Sequence, residues 1–163
     1  MLIGLIADSH DRSARLQAAV DHLAQRGAEL LIHCGDITCP AAVRSCAGLP
    51  ARFVFGNNDQ DRPALRAAMA TIGATCLEDG AAFELAGRRL AVTHGDDRKC
   101  VKRLLRGQPD YLFVGHSHCV VDRTESGTRI VNPGALHRAA RWTFALLDLE
   151  TDRLEILSSP KPG

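Results

Sequence analysis

The chain has 163 residues, about the length of one domain. Hydrophobic residues make up 45% of it, enough to build a core, which excludes a disordered protein or a small scaffold held together by disulfides. Its 20 basic and 19 acidic residues give a formal net charge of +1, which argues against a dedicated nucleic-acid binder or a polybasic membrane anchor. The six cysteines form no C-x-x-C pair and no secretion signal is recognisable, so we expect reduced thiols in a cytoplasmic protein.

The first half of the chain alternates apolar runs with helical patterns. The apolar runs predict strands buried on both faces over residues 2–7, 29–33 and 52–55. Helical patterns follow over residues 13–26 and 40–47 and from residue 62 onwards, where Pro63 suits a first helical turn. Strands that alternate with helices predict right-handed crossovers and a largely parallel sheet.

The second half is richer in strands. A hairpin is predicted over residues 81–85 and 88–93 around Ala86-Gly87, followed by a helix over residues 98–106. Further strands are predicted over residues 111–114, 119–123, 128–131, 141–149 and 153–157. No linker or repeat divides the sequence, so we expect one α/β domain over residues 1–157 and a frayed tail over residues 158–163.

Residues that suit metal binding follow the predicted strands at the points where the strands end. Asp-Ser-His follows the first apolar run, Gly-Asp the second and Gly-Asn-Asn-Asp the third, while His-Gly and Gly-His-Ser-His follow two later strands. Ligand sites form at the carboxyl ends of strands in open α/β sheets, so we expect these side chains to meet. The candidate ligands are Asp8, His10, Asp36, Asn57, His94, His116 and His118.

The spacing and chemistry of these residues favour a metal site. The pairs Asp8/His10 and His116/His118 are two residues apart, so in extended backbone each pair would point to one side. Carboxylate, amide oxygen and imidazole together suit Mn, Fe, Zn or Ni rather than Ca. Each motif alone has a simpler explanation, such as a helix cap, a tight turn or a surface histidine. The five motifs in this order, all at strand ends, indicate a metal centre.

The ordered motifs resemble those of the calcineurin-like metallophosphoesterase superfamily, in its small prokaryotic single-domain phosphodiesterase branch. They run from Asp8 to His118, and the Asn132-Pro133-Gly134 turn also resembles these small members. The resemblance implies a four-layer αββα sandwich with two divalent metal ions per chain. Mn is the expected metal, with Ni, Fe, Zn and Mg as alternatives. By resemblance, one ion is held by Asp8, His10 and His118, and the other by Asn57, His94 and His116, with Asp36 bridging the two.

The implied activity is hydrolysis of phosphodiester bonds in small substrates, by attack of a hydroxide that bridges the two ions. Asp59 is expected to orient its neighbours by hydrogen bonding, and Asn58 and Arg12 are expected to contact substrate. Larger members of the superfamily carry a histidine where this chain has Asn58, and an amide cannot serve as a general acid. We therefore expect a preference for good leaving groups, and the sequence does not say whether monoesters are also cleaved.

An alternative is a protein-docking scaffold of the same fold with little or no catalytic activity, as in the retromer subunit that shares it. All seven ligand positions keep types that can bind metal, which favours the enzyme. Balanced charge and only seven aromatic residues argue against a nucleic-acid partner, and no membrane partner is expected. Association of the chain with itself stays open. We expect His33 to support the site or the core, and His22 and His137 to lie on the surface.

Overall fold

The computed structural model describes residues 1–159. Four helices are described: α1 (Ser13–Gln25), α2 (Pro40–Arg44), α3 (Arg62–Thr71) and α4 (Arg98–Arg106). The described strands are β1 (Leu2–Ile6), β2 (Leu30–His33), β3 (Ala51–Phe53), β4 (Thr75–Cys76), β5 (Gly80–Leu85), β6 (Arg88–Thr93), β7 (Tyr111–Phe113), β8 (Val120–Glu125), β9 (Thr128–Pro133), β10 (Thr143–Asp148) and β11 (Arg153–Ser158).

The strands form two mixed sheets. The first has the order β11-β10-β1-β2-β3-β4, and its strands β1 to β4 run parallel because a helix connects each of them to the next. The second has the order β5-β6-β7-β9-β8, in which β6, β7 and β9 are parallel. Hairpins add antiparallel edges at β5, β8 and β11. The carboxyl ends of both parallel sets therefore lie where loops can converge.

Three apolar clusters separate four layers. Helices α1 to α3 cover the outer face of the first sheet, with buried residues such as Leu16, Val20 and Met69. The two sheets pack face to face around side chains such as Leu5 and Phe113. Helix α4 lies over part of the second sheet's outer face, where its Leu104 belongs to a smaller cluster. This arrangement confirms the expected αββα sandwich.

Two details differ from the sequence prediction. Strand β4 was not predicted, because two residues beside β3 are too few to show any periodicity. The frayed tail is predicted to begin at residue 158, but Ser158 ends strand β11 and the backbone N–H of Ser159 donates to the carbonyl of Trp142. The rest of that predicted tail, residues 160–163, lies outside the described residues.

No helix within residues 1–159 combines the length and the apolar character that crossing a membrane requires. All six cysteines are free thiols, and three of them, Cys34, Cys46 and Cys100, are buried.

Candidate metal centre

The predicted ligands come from loops that follow β1, β2, β3, β6 and β7. Asp8 and His10 lie after β1, Asp36 after β2 and His94 directly after β6. Asn57 follows β3, and His116 and His118 follow β7. The structure brings them together at one edge of the sandwich, where the two sheets meet.

Two overlapping groups of side chains in this cluster have the spacing of metal sites. In each group the candidate ligand atoms all lie within 4.8 Å of one another; one group is Asp8, His10 and His118, and the other is Asp8, Asp36 and His94. The Oδ1 atom of Asp8 lies 3.2 Å from Nε2 of His118 and 3.9 Å from Nε2 of His94. The Oδ2 atom of Asp36 lies 3.5 Å from Nε2 of His94 and 3.9 Å from Nε2 of His10. Both carboxylates therefore face both groups.

Backbone carbonyls fix the orientation of two of these imidazoles. Nδ1 of His94 donates to the carbonyl of Cys34 at 2.8 Å, and Nδ1 of His118 donates to the carbonyl of Arg138 at 3.3 Å. A carbonyl can only accept, so the proton of each neutral ring must sit on Nδ1. The lone pair of each Nε2 then points into the cluster, as in histidines that bind metals.

Three atoms at the centre of the cluster are buried without a hydrogen-bond partner among the described residues: Oδ1 of Asp8, Nε2 of His10 and Nε2 of His94. Buried polar atoms are almost always satisfied, because leaving one unpaired costs about 1–3 kcal/mol. Divalent ions bound within the two groups, each of which contains Asp8, would give these atoms partners. The donor set of carboxylate oxygens and imidazole nitrogens therefore fits divalent transition metals.

Asn57 and His116 form the outer side of the centre. Nδ1 of His116 lies 3.1 Å from Oδ1 of Asn57, and its ring centroid is 5.2 Å from that of His94. The backbone N–H of His116 also donates to Oδ2 of Asp8 at 3.0 Å. Both Asn57 and His116 are exposed, so this side of the centre is open to substrate.

The loops that carry the ligands are not extended. Asp8, His10, Asp36, His116 and His118 all have positive φ, between 49° and 67°. The expectation that extended backbone aligns each two-residue pair is therefore wrong. In the left-handed conformation the pair after β7 separates, because His116 faces Asn57 while His118 faces Asp8. Non-glycine residues in this region often mark functional sites, and Asp tolerates it better than most.

Asp59 ties together the loops after β2 and β3. Its carboxylate is 3% exposed and accepts hydrogen bonds from the backbone N–H groups of Asp36 (2.9 Å), Thr38 (2.7 Å) and Gly56 (2.7 Å). A Cβ on Gly56 would lie 2.2 Å from Oδ1 of Asp36, so only glycine fits at that position. Asn58 completes the arrangement, donating from its backbone to Oδ1 of Asp36 (2.8 Å) and from its side chain to Oδ2 (2.7 Å).

The buried charges explain how the centre titrates. Burial raises the pKa of Asp8 to about 6, against the attraction of His94 and His118. Burial alone would raise the pKa of Asp36, but its contacts with His94 and Asn58 have the larger effect and hold the pKa of Asp36 well below its usual value. Burial of the His94 ring opposes protonation, yet Asp36 and Asp8 together raise its pKa to about 9. The cluster therefore holds protons that a metal ion would displace.

Sequence reasoning did not assign a role to Asn132, which holds the loop after β7 in place. Its buried side-chain amide donates to the carbonyl of Gly115 (2.7 Å) and to the hydroxyl of Ser117 (3.1 Å). Its Oδ1 accepts from the N–H of Gly134. The only signal for this role was the Asn-Pro-Gly turn, which is too far along the chain for spacing to connect it with the site.

Two other histidines support the centre. His137 is half-buried rather than on the open surface, and its ring centroid lies 4.9 Å from that of His10. Nε of the exposed Arg12 lies 3.4 Å from Nδ1 of His137, which places the guanidinium beside the His10 side of the centre. His33 is fully buried, and its Nε2 lies 2.8 Å from the hydroxyl of Ser9.

Comparison with known proteins agrees with this geometry. The family model of the calcineurin-like phosphoesterase superfamily domain matches residues 1–152. A phosphodiesterase from Methanocaldococcus jannaschii is 26% identical over 156 residues, which cover 92% of this chain and 94% of that protein. A probable metallophosphoesterase from Methanothermobacter thermautotrophicus is 30% identical over 148 residues, covering 83% of this chain and 77% of that protein.

Among solved structures, an archaeal phosphodiesterase superposes with a TM-score of 0.89. It is 24% identical in sequence, and the match covers 97% of this chain and 99% of that one. The fold is therefore shared over nearly the whole length of both proteins. With the family model matching most of the sequence as well, the chain belongs to the calcineurin-like phosphoesterase superfamily, a family of phosphoesterase hydrolases.

Proposed function

We propose that this protein is a binuclear metal-dependent phosphodiesterase that acts on small phosphodiesters. The observation that carries the proposal is the set of three buried, unpartnered atoms of Asp8, His10 and His94 that face one another. Leaving a buried polar atom without a hydrogen-bond partner costs about 1–3 kcal/mol, which bound metal ions would offset. The phosphodiesterases among its relatives support the choice of a diester substrate.

Seven side chains would hold the two ions. Asp8, His10 and His118 surround one position, and the spacing of their ligand atoms supports that assignment. Asn57, His94 and His116 would complete the other position. Asp36 is the proposed shared carboxylate, because its Oδ2 lies between His10 and His94. A shared carboxylate offsets the repulsion between two nearby cations.

Bound divalent ions would supply Lewis-acid stabilisation of the phosphoryl oxygens and a water of lowered pKa. The protein's own contribution is to hold the ligands rigidly, through Asp59 on one side and Asn132 on the other. Arg12 lies beside the His10 side of the centre, where its guanidinium is in a position to bind a substrate phosphate. Asn58 lies at the exposed rim and offers an amide but no acidic proton.

The direct test is hydrolysis of bis(p-nitrophenyl) phosphate by metal-stripped protein, with Mn²⁺, Ni²⁺, Mg²⁺ and Zn²⁺ added back separately. We expect turnover with at least one ion, Mn²⁺ first, and two bound ions per chain by elemental analysis. Protein that binds metal but turns over no diester would overturn the proposal in favour of a scaffold of the same fold. Protein that binds only one ion would refute the binuclear part alone.

The bridging assignment is tested with Asp36→Asn. Because the amide keeps the shape but removes the charge, we expect loss of both metal occupancy and turnover. Asp21→Asn is the matched control, since Asp21 is an exposed residue of α1 whose Oδ1 accepts only from Gln17. An Asp36→Asn variant with unchanged occupancy would show that Asp36 does not bridge.

A further inference from the structure

A groove of about 720 Å³ lies on the outer face of the second sheet, directly beside the candidate metal centre. Strands β7 and β9 form its floor, helix α4 one wall and strand β8 the other. Its inner end is lined by Gly115, His116 and Ser117, so the groove and the candidate metal centre share His116. Its volume is in the range of small-molecule sites, about 300–1,000 Å³.

The floor of the groove is apolar. Leu112 and Ile130 are buried there, and Val114 is partly exposed beside them. Val101 of α4 and Val121 of β8 extend this surface up the two walls, and both are partly exposed. Helix α4 is only nine residues long, which leaves this part of the sheet uncovered. Such a surface suits the flat face of a ring rather than a bare sugar or phosphate.

The rim of the groove carries positive charge without a protein partner. Arg98 and Lys102, one helical turn apart on α4, both line the groove, and neither side chain makes a hydrogen bond or ion pair within residues 1–159. Arg123 on the opposite wall differs, because it pairs with Glu125 at 3.3 Å. Two unpaired cations beside an apolar floor are complementary to a ring that carries an anion.

We propose that this groove binds one arm of the phosphodiester substrate: a nucleoside whose base lies on the apolar floor and whose second phosphate meets Arg98 and Lys102. The inference rests on the proposed phosphodiesterase activity and specifies its substrate class as short, terminally phosphorylated nucleotides. The position of His116 in both sites supports an arm of the same molecule, because a ligand that extends from the metal centre past His116 enters the groove. The alternative occupant of the groove is a second copy of the chain, which would have to bury the side chains of Arg98 and Lys102.

The test measures how fast the full-length, Mn²⁺-loaded protein hydrolyses three diesters. The first is dithymidylate with a phosphate on its upstream end. The second lacks that phosphate, and the third keeps the phosphate but lacks the upstream base. Each exposed charge pair is worth up to about 1 kcal/mol, or about fivefold. We expect kcat/KM for the phosphorylated compound to exceed that of the other two by about tenfold, mostly through KM.

The variants Arg98→Gln and Lys102→Gln test the charges. Each should reduce the preference for the terminal phosphate about three- to fivefold, and the double variant should abolish it. Lys99→Gln is the matched control, since Lys99 is exposed on the same helix but does not line the groove, and it should keep the full preference.

The outcomes separate this inference from the proposed function. Hydrolysis of bis(p-nitrophenyl) phosphate and of all three dinucleotides at equal efficiency would overturn the groove assignment and leave the phosphodiesterase standing. No hydrolysis of any diester by metal-loaded protein would overturn both. Light scattering on the double variant gives a third result: a change of oligomeric state with an unchanged substrate preference would make the groove a subunit interface instead.

Discussion

Replacing Asp59 with asparagine should weaken both the fold and the metal centre, although Asp59 is not a proposed ligand. Its two carboxylate oxygens accept three backbone N–H groups, and the side chain is almost fully buried. An asparagine side chain has one carbonyl oxygen and one NH₂ group. Whichever way it turns, the NH₂ group faces at least one N–H that Asp59 now satisfies.

The magnitude follows from these contacts. Losing a charge-assisted hydrogen bond to a buried group costs about 1.5–3 kcal/mol, and the unpaired N–H adds to it. Part of this loss of stability is offset, because the neutral amide of asparagine avoids the cost of burying a charge. That cost is visible in Asp59 itself, whose pKa is raised by burial. We expect a net loss of about 2 kcal/mol, which for a domain of this length lowers Tm by roughly 4–8 °C. Because Asp36 and Gly56 lose a shared anchor, metal affinity should fall about 10–100-fold.

Urea or thermal unfolding of the metal-free protein measures the first effect, and Mn²⁺ titration measures the second. Asp61→Asn is the matched control: Asp61 caps α3 through the N–H of Ala64, and asparagine caps a helix as well as aspartate does. An Asp59→Asn variant with the stability and the metal affinity of the Asp61→Asn control would refute the anchoring role.

Three further predictions concern the same centre. Gly56→Ala should lower Mn²⁺ affinity at least tenfold in a metal titration, since its Cβ would displace the carboxylate of Asp36. Neighbouring carboxylates raise the pKa of His94 to about 9 although its burial opposes protonation, so between pH 7 and 9 the folded metal-free protein holds a proton that the unfolded chain has released. Its Tm should therefore fall as pH rises from 7 to 9, and Mn²⁺ binding in this range should release protons. Asn58→His removes the amide donor to Asp36 but supplies an acid, so it should speed hydrolysis of diesters with poor leaving groups relative to those with good ones, by up to about 10²-fold.

Each of these has its own control. Gly48→Ala adds a Cβ that meets only ordinary contact with Val20, at 3.6 Å, so it should leave metal affinity unchanged. Calorimetric titration in buffers of different ionisation enthalpy counts released protons, and an enthalpy independent of buffer would contradict the pH prediction. For Asn58→His, p-nitrophenyl esters serve as the reference substrate, because their leaving group needs little protonation. Equal gains on good and poor leaving groups would argue against acid catalysis.

The order of the elements could be predicted because local signals were strong and agreed with the fold. Residues 2–7 and 30–32 are apolar throughout, as strands buried between layers must be, and the structure places both runs in the first sheet. Gly27 and Pro63 marked a helix end and a helix start at nearly the observed residues. The position of the candidate ligands at strand ends was also predictable, since parallel strands bring their carboxyl ends to one edge.

What could not be predicted depends on contacts between distant residues. No local pattern links Asn132 to Gly115 or His137 to His10, because those contacts form only when the second sheet and the loop after β9 are in place. The groove beside α4 could not be predicted from the sequence either. In the sequence alone, the basic residues of α4 are typical of a solvated helix face, and the uncovered sheet beside Arg98 and Lys102 becomes visible only in the structure.

The left-handed backbone of the ligand loops explains why the cluster needs the surrounding sandwich. Each of the five candidate ligands with positive φ costs on the order of 1 kcal/mol in backbone strain, before the unpartnered atoms of the cluster are counted. That sum is a sizeable fraction of the 5–15 kcal/mol by which a typical domain is stable. The strain persists because each loop starts from a buried strand and is tied at its far side by Asp59, Asn132 or a carbonyl that orients a histidine. The candidate ligands are thus held in place without a cation, so metal binding would not bear the cost of assembling the centre.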